Sequence, residues 1–248
     1  MALIKTADEQ QAMRECGQLL AEIFAAVKPS ILPGATTKEL ADTVAAEIKI
    51  RGAEAVLLGY MGFPSVVCIS INSEVVHGIP GTYEIKSGDL VSLDLCIGHK
   101  GMITDSAFTL AAGDAPNEQV HRLLKATEEA LCQGIDQVRP GNRVGDISQA
   151  IENHLRQFNL GVVEDLVGHG VGHTVHEPPE VPNYGKAGSG PLLKPGMTIA
   201  IEPMATLGDK AVYVASDQWT IKTADNSLSA HFEHTVLITE NGYEILTL

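Results

Sequence analysis

The sequence contains few aromatic residues, few cysteines and no long apolar run. Phe, Trp and Tyr make up 4% of the 248 residues, so the single Trp219 and the neighbouring Tyr60 and Phe63 are notable as candidate site residues. The four cysteines stand singly, without a C-x-x-C pair, so neither a thiolate zinc site nor a disulfide framework is indicated. No apolar run of about 18 residues is present, so no membrane-spanning helix is expected.

Basic residues are also scarce relative to acidic ones. Lys and Arg total 17 against 31 Asp and Glu, which gives a formal net charge of −14. Such a chain repels nucleic acid and anionic membrane surfaces, so neither is expected as a partner, whereas metal cations are favoured. Residues 1–8 lack the apolar core of a secretory signal, so the expected location is the cytoplasm. We expect a monomer.

The sequence contains an internal repeat of helical segments. Leu40, Val44 and Ile48 have helical spacing, and the equivalent apolar positions return 107 residues later, at Ile147, Ile151 and Leu155. Each copy follows a Pro-Gly pair and is preceded by another helical stretch, residues 8–27 and 117–138. The repeat predicts one α/β domain over residues 1–248, made of two pseudo-symmetric halves at about 1–111 and 112–248.

The predicted strands repeat as well, and an acid accompanies each of them. Residues 86–94 match residues 194–202 as a turn, a β-like alternation and a final acid, Asp94 or Glu202. Asp105 and Glu233 each open a further matching strand. We therefore expect a pseudo-twofold α/β fold with a central antiparallel sheet flanked by helices, in which these four carboxylates converge.

Four clustered carboxylates inside a protein core require a compensating charge. No Lys or Arg lies within three positions of any of the four. Two divalent ions would balance them, and a hydroxide bridging the ions would act as a nucleophile. Taken singly, each acid could instead be a solvated charge at the surface.

Histidines in a glycine-rich segment complete the candidate site. Residues 169–176 contain three histidines, and the alternating glycines favour an extended strand over a helix. His176 would then lie on the face opposite His169 unless a bulge or turn intervenes, and both arrangements remain open. His173 is interpreted as a structural or surface residue. One imidazole among several carboxylates favours Co²⁺, Mn²⁺, Fe²⁺ or Zn²⁺.

Several motifs resemble those of the bacterial type I methionine aminopeptidases, in order and over almost the whole chain. They are Val76-His77-Gly78-Ile79-Pro80, Ser92-Leu93-Asp94, Thr104-Asp105, Gly168-His169-Gly170-Val171-Gly172, Ile201-Glu202-Pro203 and Phe232-Glu233-His234-Thr235. The resemblance implies the internally duplicated pita-bread fold. It also implies a metal-dependent enzyme that removes N-terminal methionine before a small second residue, by attack of a metal-bridging hydroxide.

The family pattern assigns a role to each metal ligand. Asp94 would bind one metal, Asp105 and Glu233 would bridge both metals, and His169 and Glu202 would complete the second. Glu202 is in addition the implied general base. The implied partner is the N-terminus of a peptide or nascent chain, and transient ribosome association remains open.

The same pattern assigns the substrate contacts. His77 would contact the leaving-group side of the scissile amide, and His176 would donate to the oxyanion. The methionine side chain would occupy a pocket that both histidines border, formed by Leu57, Tyr60, Phe63, Cys68, Val175 and Trp219. A monovalent cation held at Asn72, Glu74 and Ser229 is a further implication.

Two alternatives stay open at this point. A proline-specific aminopeptidase or dipeptidase of the same fold would use a similar ligand set, but such enzymes usually carry a large N-terminal domain for which 248 residues leave no room. A catalytically silent peptide-binding relative would be expected to have lost a ligand, and none is missing here.

Overall fold

Helices cover the outside of the strands. The computed structural model describes residues 4–114 and 117–248. Within these ranges the chain forms four α-helices: α1 (Ala7–Val27), α2 (Thr37–Ile50), α3 (Glu118–Ile135) and α4 (Val144–Gln157). Two short 3₁₀ helices span Lys28–Ser30 and Tyr60–Gly62. All four predicted helical segments are thus confirmed.

The strands are short except for one hairpin. In chain order they are β1 (Glu54–Ala55), β2 (Cys68–Ile71), β3 (Glu74–Val76), β4 (Leu90–His99), β5 (Met102–Ala111), β6 (Gly161–Val162), β7 (Val167–Gly170), β8 (Glu177–Pro182), β9 (Thr198–Ile201), β10 (Met204–Thr206), β11 (Val212–Val214), β12 (Ile221–Thr223), β13 (Ser229–His231), β14 (His234–Thr239) and β15 (Gly242–Ile245).

Strand pairing is antiparallel throughout the described residues, as expected, and the strands form four sheets. The first sheet has β5 on one edge of β4 and both β1 and β2 on the other. The second has the order β15-β14-β9-β7-β8. Two three-stranded sheets, β13-β10-β6 and β11-β12-β3, complete the set. A backbone bridge between Ala107 and Glu233 joins the first two sheets.

Local sequence explains why α1, α2 and α3 begin where they do. Thr6 and Thr36 cap α1 and α2, and each forms a capping box with the glutamate three positions later. Asn117 accepts a hydrogen bond from the backbone N–H of Val120 at the start of α3. The apolar positions of the repeat are buried in one hydrophobic core. The division near residue 111 stays a prediction.

The acids differ from expectation in their position along the strands. Asp94 lies in the middle of β4, and Asp105 lies inside β5, which begins at Met102. Both were expected at a strand end. The reason is that β4 and β5, each of ten residues, form a hairpin that extends to the turn at Lys100 and Gly101, beyond the matched segment.

Within residues 4–114 and 117–248, no helix combines the length and the apolar character that crossing a membrane requires. The prediction that the N-terminus is not a secretory signal depends in part on residues 1–3, which lie outside the described residues.

Candidate metal centre and active-site cavity

A cavity of about 190 Å³ lies where the first two sheets meet. Every residue that the sequence predicted as a metal ligand or substrate contact lines it, together with Met61 and Cys96. The predicted residues are Leu57, Tyr60, Phe63, Cys68, His77, Asp94, Asp105, His169, Val175, His176, Glu202, Trp219 and Glu233. Residues from both halves of the chain therefore share one cavity.

The strands bring the acidic side chains to one end of this cavity. Asp94 and Asp105 lie on neighbouring strands of the β4–β5 hairpin, while Glu202 directly follows β9 and Glu233 directly precedes β14. Strands β9 and β14 are paired, and the backbone of Glu233 is hydrogen-bonded to that of Ala107 on β5. The four acidic residues are therefore adjacent. His169 enters from β7, which pairs with the other edge of β9.

Distances within the cluster are those of a potential metal site. His169 Nε2 lies 3.4 Å from Glu202 Oε1 and 3.9 Å from Asp105 Oδ2. Ligand atoms of Asp105, His169 and Glu233 all lie within 4.8 Å of one another, as do those of Asp94, Cys96 and Asp105. The two groups share Asp105, so one carboxylate connects both parts of the cluster.

The electrostatics of the cluster favour a bound cation. Burial, and then the charge of Asp105, raise the pKa of the Asp94, Glu202 and Glu233 carboxyls well above their ordinary values. Asp105 Oδ1 and Glu233 Oε1 are buried without a hydrogen-bond partner among the described residues, and no Lys or Arg in that part of the chain lines the cavity. The donor set therefore fits divalent metal ions.

A turn after β7 settles the position of His176, which the sequence left open. The strand ends at Gly170, and not beyond it as the extended interpretation required, and Gly172 adopts φ 147°. The turn brings the His176 ring back to 4.4 Å from the His169 ring, centroid to centroid. Tyr60 Oη lies 3.0 Å from His176 Nδ1. Burial, and then the nearby His169, lower the pKa of His176 to about 4.

A buried ion pair holds this turn from behind. Lys5 Nζ lies 2.6 Å from Glu177 Oε2, and the two side chains are only 1% and 3% exposed. The other carboxylate oxygen of Glu177 accepts hydrogen bonds from the backbone N–H groups of His173 and Thr174. Lys5 thus stabilises the turn that presents His176.

The opposite wall of the cavity is apolar. Phe63 and Trp219 pack edge to face with their centroids 5.1 Å apart, and Leu57, Cys68 and Val175 are buried beside them. Burial, and then the charge of Asp94, raise the pKa of the Cys68 thiol. His77 borders this wall at φ 59°, and burial lowers its pKa.

Two further predictions concern residues outside the cavity. His173 lies at the surface, where its Nε2 is 2.7 Å from Glu9 Oε1 of α1. The three residues predicted for a monovalent cation are adjacent, because the Ser229 hydroxyl lies 3.0 and 3.1 Å from the backbone carbonyl oxygens of Asn72 and Glu74.

Sequence reasoning missed three contributors to the site. Cys96 lies within the ligand cluster, and its position two residues after Asp94 on one strand could have revealed it. His231 is buried with Nε2 3.8 Å from both Glu202 Oε2 and Glu233 Oε2, and its place two residues before Glu233 was a similar signal. Lys5 gave no signal, because its partner is 172 positions away.

Comparison with known proteins places this geometry in a family. The profile of metallopeptidase family M24 matches residues 11–240. A methionine aminopeptidase of Clostridium perfringens is 45% identical over 249 aligned residues, which cover all of this chain and 99% of that one. The prolidase of Pyrococcus horikoshii is a more distant likeness, with a TM-score of 0.80 and 25% identity, and this chain covers 64% of it.

A solved structure confirms the expected fold. The crystal structure of methionine aminopeptidase from Rickettsia prowazekii superimposes with a TM-score of 0.98 at 38% identity, and each chain covers the whole of the other. The pita-bread fold that the family resemblance implied is therefore confirmed. From the profile match and these full-length similarities, the chain belongs to metallopeptidase family M24.

Proposed function

We propose that this chain is a metal-dependent aminopeptidase that removes methionine from the N-terminus of peptides whose second residue is small. The supporting observation is the juxtaposition, in one cavity, of an apolar wall and a buried carboxylate–imidazole cluster. Full-length similarity to proteins named methionine aminopeptidase supports the same activity. The class of reaction is hydrolysis of the first peptide bond.

Two divalent ions are the proposed cofactors, held by five side chains. Their ligands are Asp94, Asp105, His169, Glu202 and Glu233. When bound, the ions neutralise the carboxylates and make water a stronger nucleophile at neutral pH. The donor set admits Co²⁺, Mn²⁺, Fe²⁺ and Zn²⁺, and it does not choose among them.

Glu202 is the proposed general base. It accepts a proton from the attacking water as the bond between water oxygen and carbonyl carbon forms, and it delivers that proton to the leaving amine as the C–N bond breaks. Glu202 directly follows β9, and its Oε1 lies 3.4 Å from His169 Nε2, which supports this role. His77 lies on the leaving-group side in this proposal.

His176 is the proposed hydrogen-bond donor to the substrate carbonyl oxygen. With its pKa lowered to about 4, the ring is neutral near pH 7 and carries one N–H. If the Tyr60 hydroxyl donates to Nδ1, the proton of the ring is on Nε2, the nitrogen available to the substrate. Negative charge that develops on the carbonyl oxygen is then stabilised by a donor already in place.

Two features of the site support selectivity, one for the methionine side chain and one for the free amino group of the substrate. A flexible thioether fits an apolar wall formed by Leu57, Phe63, Val175 and Trp219, where it packs against aromatic edges. The free amino group of the substrate, in its neutral form, would coordinate a bound ion, and an internal peptide bond lacks this group. Nascent chains in the cytoplasm, reached by a monomeric enzyme in transient contact with the ribosome, are the proposed natural substrates.

The monovalent cation remains part of the proposal. Carbonyl oxygens of Asn72 and Glu74 meet at Ser229, which gives an oxygen-rich position between β2, β3 and β13. Oxygen donors of this kind suit a hard cation.

Peptide hydrolysis followed by mass spectrometry tests the activity. We expect the metal-loaded protein to release free methionine from Met-Gly-Met-Met but not from the same peptide with leucine in second position. An Ala-Pro peptide is the control for proline-specific cleavage. Release of alanine from that peptide, or no release of methionine from Met-Gly-Met-Met, would overturn the proposal.

A further inference from the structure

Cys96 occupies a position inside the ligand cluster that the proposed mechanism does not use. It lies on β4 two residues after Asp94, so both side chains point to the same face, and it is the cross-strand partner of Asp105. The residue is 2% exposed. Its thiol donates to Asp105 Oδ2, with Sγ and Oδ2 2.7 Å apart.

The geometry around this sulfur is that of a metal-binding group. Cys96 Sγ and carboxylate oxygens of Asp94 and Asp105 all lie within 4.8 Å of one another. A second observation is independent of the cysteine: Asp105 is 4% exposed, and its Oδ1 has no hydrogen-bond partner among the described residues. An unsatisfied buried carboxylate oxygen beside the sulfur leaves room for a further ligand, and a cation satisfies it.

We propose that Cys96 is a sulfur ligand of the divalent ion that Asp94 and Asp105 hold. On binding, the thiol loses its proton to solvent, a sulfur lone pair forms the bond to the ion, and Asp105 Oδ2 is released from its hydrogen bond to face the same ion. The metal centre would then contain one thiolate in addition to the carboxylates and the single imidazole. The inference depends on the metal centre but not on methionine as the substrate.

A sulfur donor changes which ions the centre prefers. Thiolate is a soft ligand that favours Zn²⁺, Co²⁺ and Cd²⁺, whereas carboxylates alone suit Mn²⁺. The side chain of Cys96 would therefore set the relative affinities of the centre for different metal ions. This selectivity can be measured without any substrate.

Cys68 provides a matched control. It also lines the cavity and is also buried, and it is the cross-strand partner of Asp94 on the other side of β4. It belongs to neither group of potential ligands among the described residues. Cys68→Ser and Cys96→Ser remove the same atom from the same cavity, so a difference between them reports ligation and not the general loss of a thiol.

The first test is titration of the metal-free protein with Co²⁺, followed by absorption spectroscopy. We expect a sulfur-to-cobalt charge-transfer band in the near ultraviolet for the unsubstituted protein and for Cys68→Ser, and no such band for Cys96→Ser. Absence of the band from the unsubstituted protein overturns the inference. Its loss in Cys68→Ser with retention in Cys96→Ser also overturns it.

Calorimetric titration with Cd²⁺ and Mn²⁺ separates ligation from misfolding. We expect Cys96→Ser to weaken Cd²⁺ binding by about 10- to 100-fold, while Mn²⁺ binding changes much less, which also shows that the variant is folded. Equal weakening for both ions would contradict a sulfur ligand. Methionine release by the unsubstituted Co²⁺ protein is assayed separately, because its failure would reject the proposed function and leave this inference standing.

Discussion

Lys5 and Glu177 form the ion pair whose removal should have the largest effect on stability among the ion pairs of the described residues. Both side chains are almost fully buried, and Glu177 also accepts backbone hydrogen bonds from the turn before it. Replacing Lys5 by Met leaves a buried carboxylate without a counter-charge. We expect Lys5→Met to lower the free energy of unfolding by about 3–5 kcal/mol, measured by urea denaturation.

An exposed pair serves as the control for this prediction. Lys38 and Asp42 lie 2.7 Å apart on α2 with side chains 66% and 64% exposed. Lys38→Met should change stability by no more than about 0.5 kcal/mol, because solvent screens such pairs. Equal effects of the two substitutions would show that burial of the Lys5 pair contributes nothing.

The same pair predicts a pH dependence. Burial by itself raises the pKa of the Glu177 carboxyl, but the hydrogen bonds from Lys5 and the Thr174 amide outweigh it and hold the pKa below the ordinary value of 4.5. A lowered folded-state pKa gives stability that is present above the unfolded pKa and is lost as pH falls through the folded one. The stability gap between the unsubstituted protein and Glu177→Gln should therefore be largest near neutral pH and close on acidification. Urea midpoints measured across this range test it, and a constant gap would contradict the assignment.

His176 allows a test of role at the level of a single side chain. If it donates to the substrate carbonyl oxygen and binds no metal, His176→Ala should lower kcat by about 10²- to 10³-fold. The metal content of the variant, measured by atomic emission, should equal that of the unsubstituted protein. Loss of metal in parallel with activity would mean that His176 is a ligand.

At the scale of elements, the turn after β7 shows where sequence patterns are insufficient. Alternation of Gly and His over residues 168–173 indicates an extended chain, and β7 does begin that way. The course of the chain beyond β7 depends on Gly172, whose φ of 147° is accessible to glycine, and on Glu177, which binds the backbone of the turn. These features depend on contacts with distant parts of the chain. Lys5, from the start of the chain, limits the space at Gly172.

Helix α1 packs closely against the residue that follows β15, and a single substitution tests this contact. A Cβ atom added at Gly17 would overlap the backbone carbonyl of Leu246, which follows β15. Although alanine favours helices, we expect Gly17→Ala to destabilise the protein by about 1–3 kcal/mol, because α1 would have to move away from the strand end. Thermal unfolding measures the change. The neighbouring Gln18→Ala, at an exposed position of α1, should have little effect, and an equal effect would contradict the close approach.

At the scale of the whole molecule, the internal repeat carried most of the information about the fold. Equivalent apolar positions such as Leu40 and Ile147 predicted the helices, and matched acids such as Asp94 and Glu202 predicted that two halves would meet at a shared cluster. The sequence could not predict the division into four sheets, because pairings as short as the two residues of β1 with β4 leave no distinct alternation pattern in the sequence. The repeat does not mark Cys96 or His231, which only their spacing of two residues from Asp94 and Glu233 along a strand could have indicated as neighbours of the cluster.

The central claim is that strands from both halves deliver Asp105 and Glu233 to one place, where they share two divalent ions. Anomalous diffraction from crystals soaked in Co²⁺ tests it most directly. We expect two peaks about 3.5–4 Å apart, each within bonding distance of both carboxylates. Peaks located away from these residues, or no peak at the cluster while the protein releases methionine, would contradict the account.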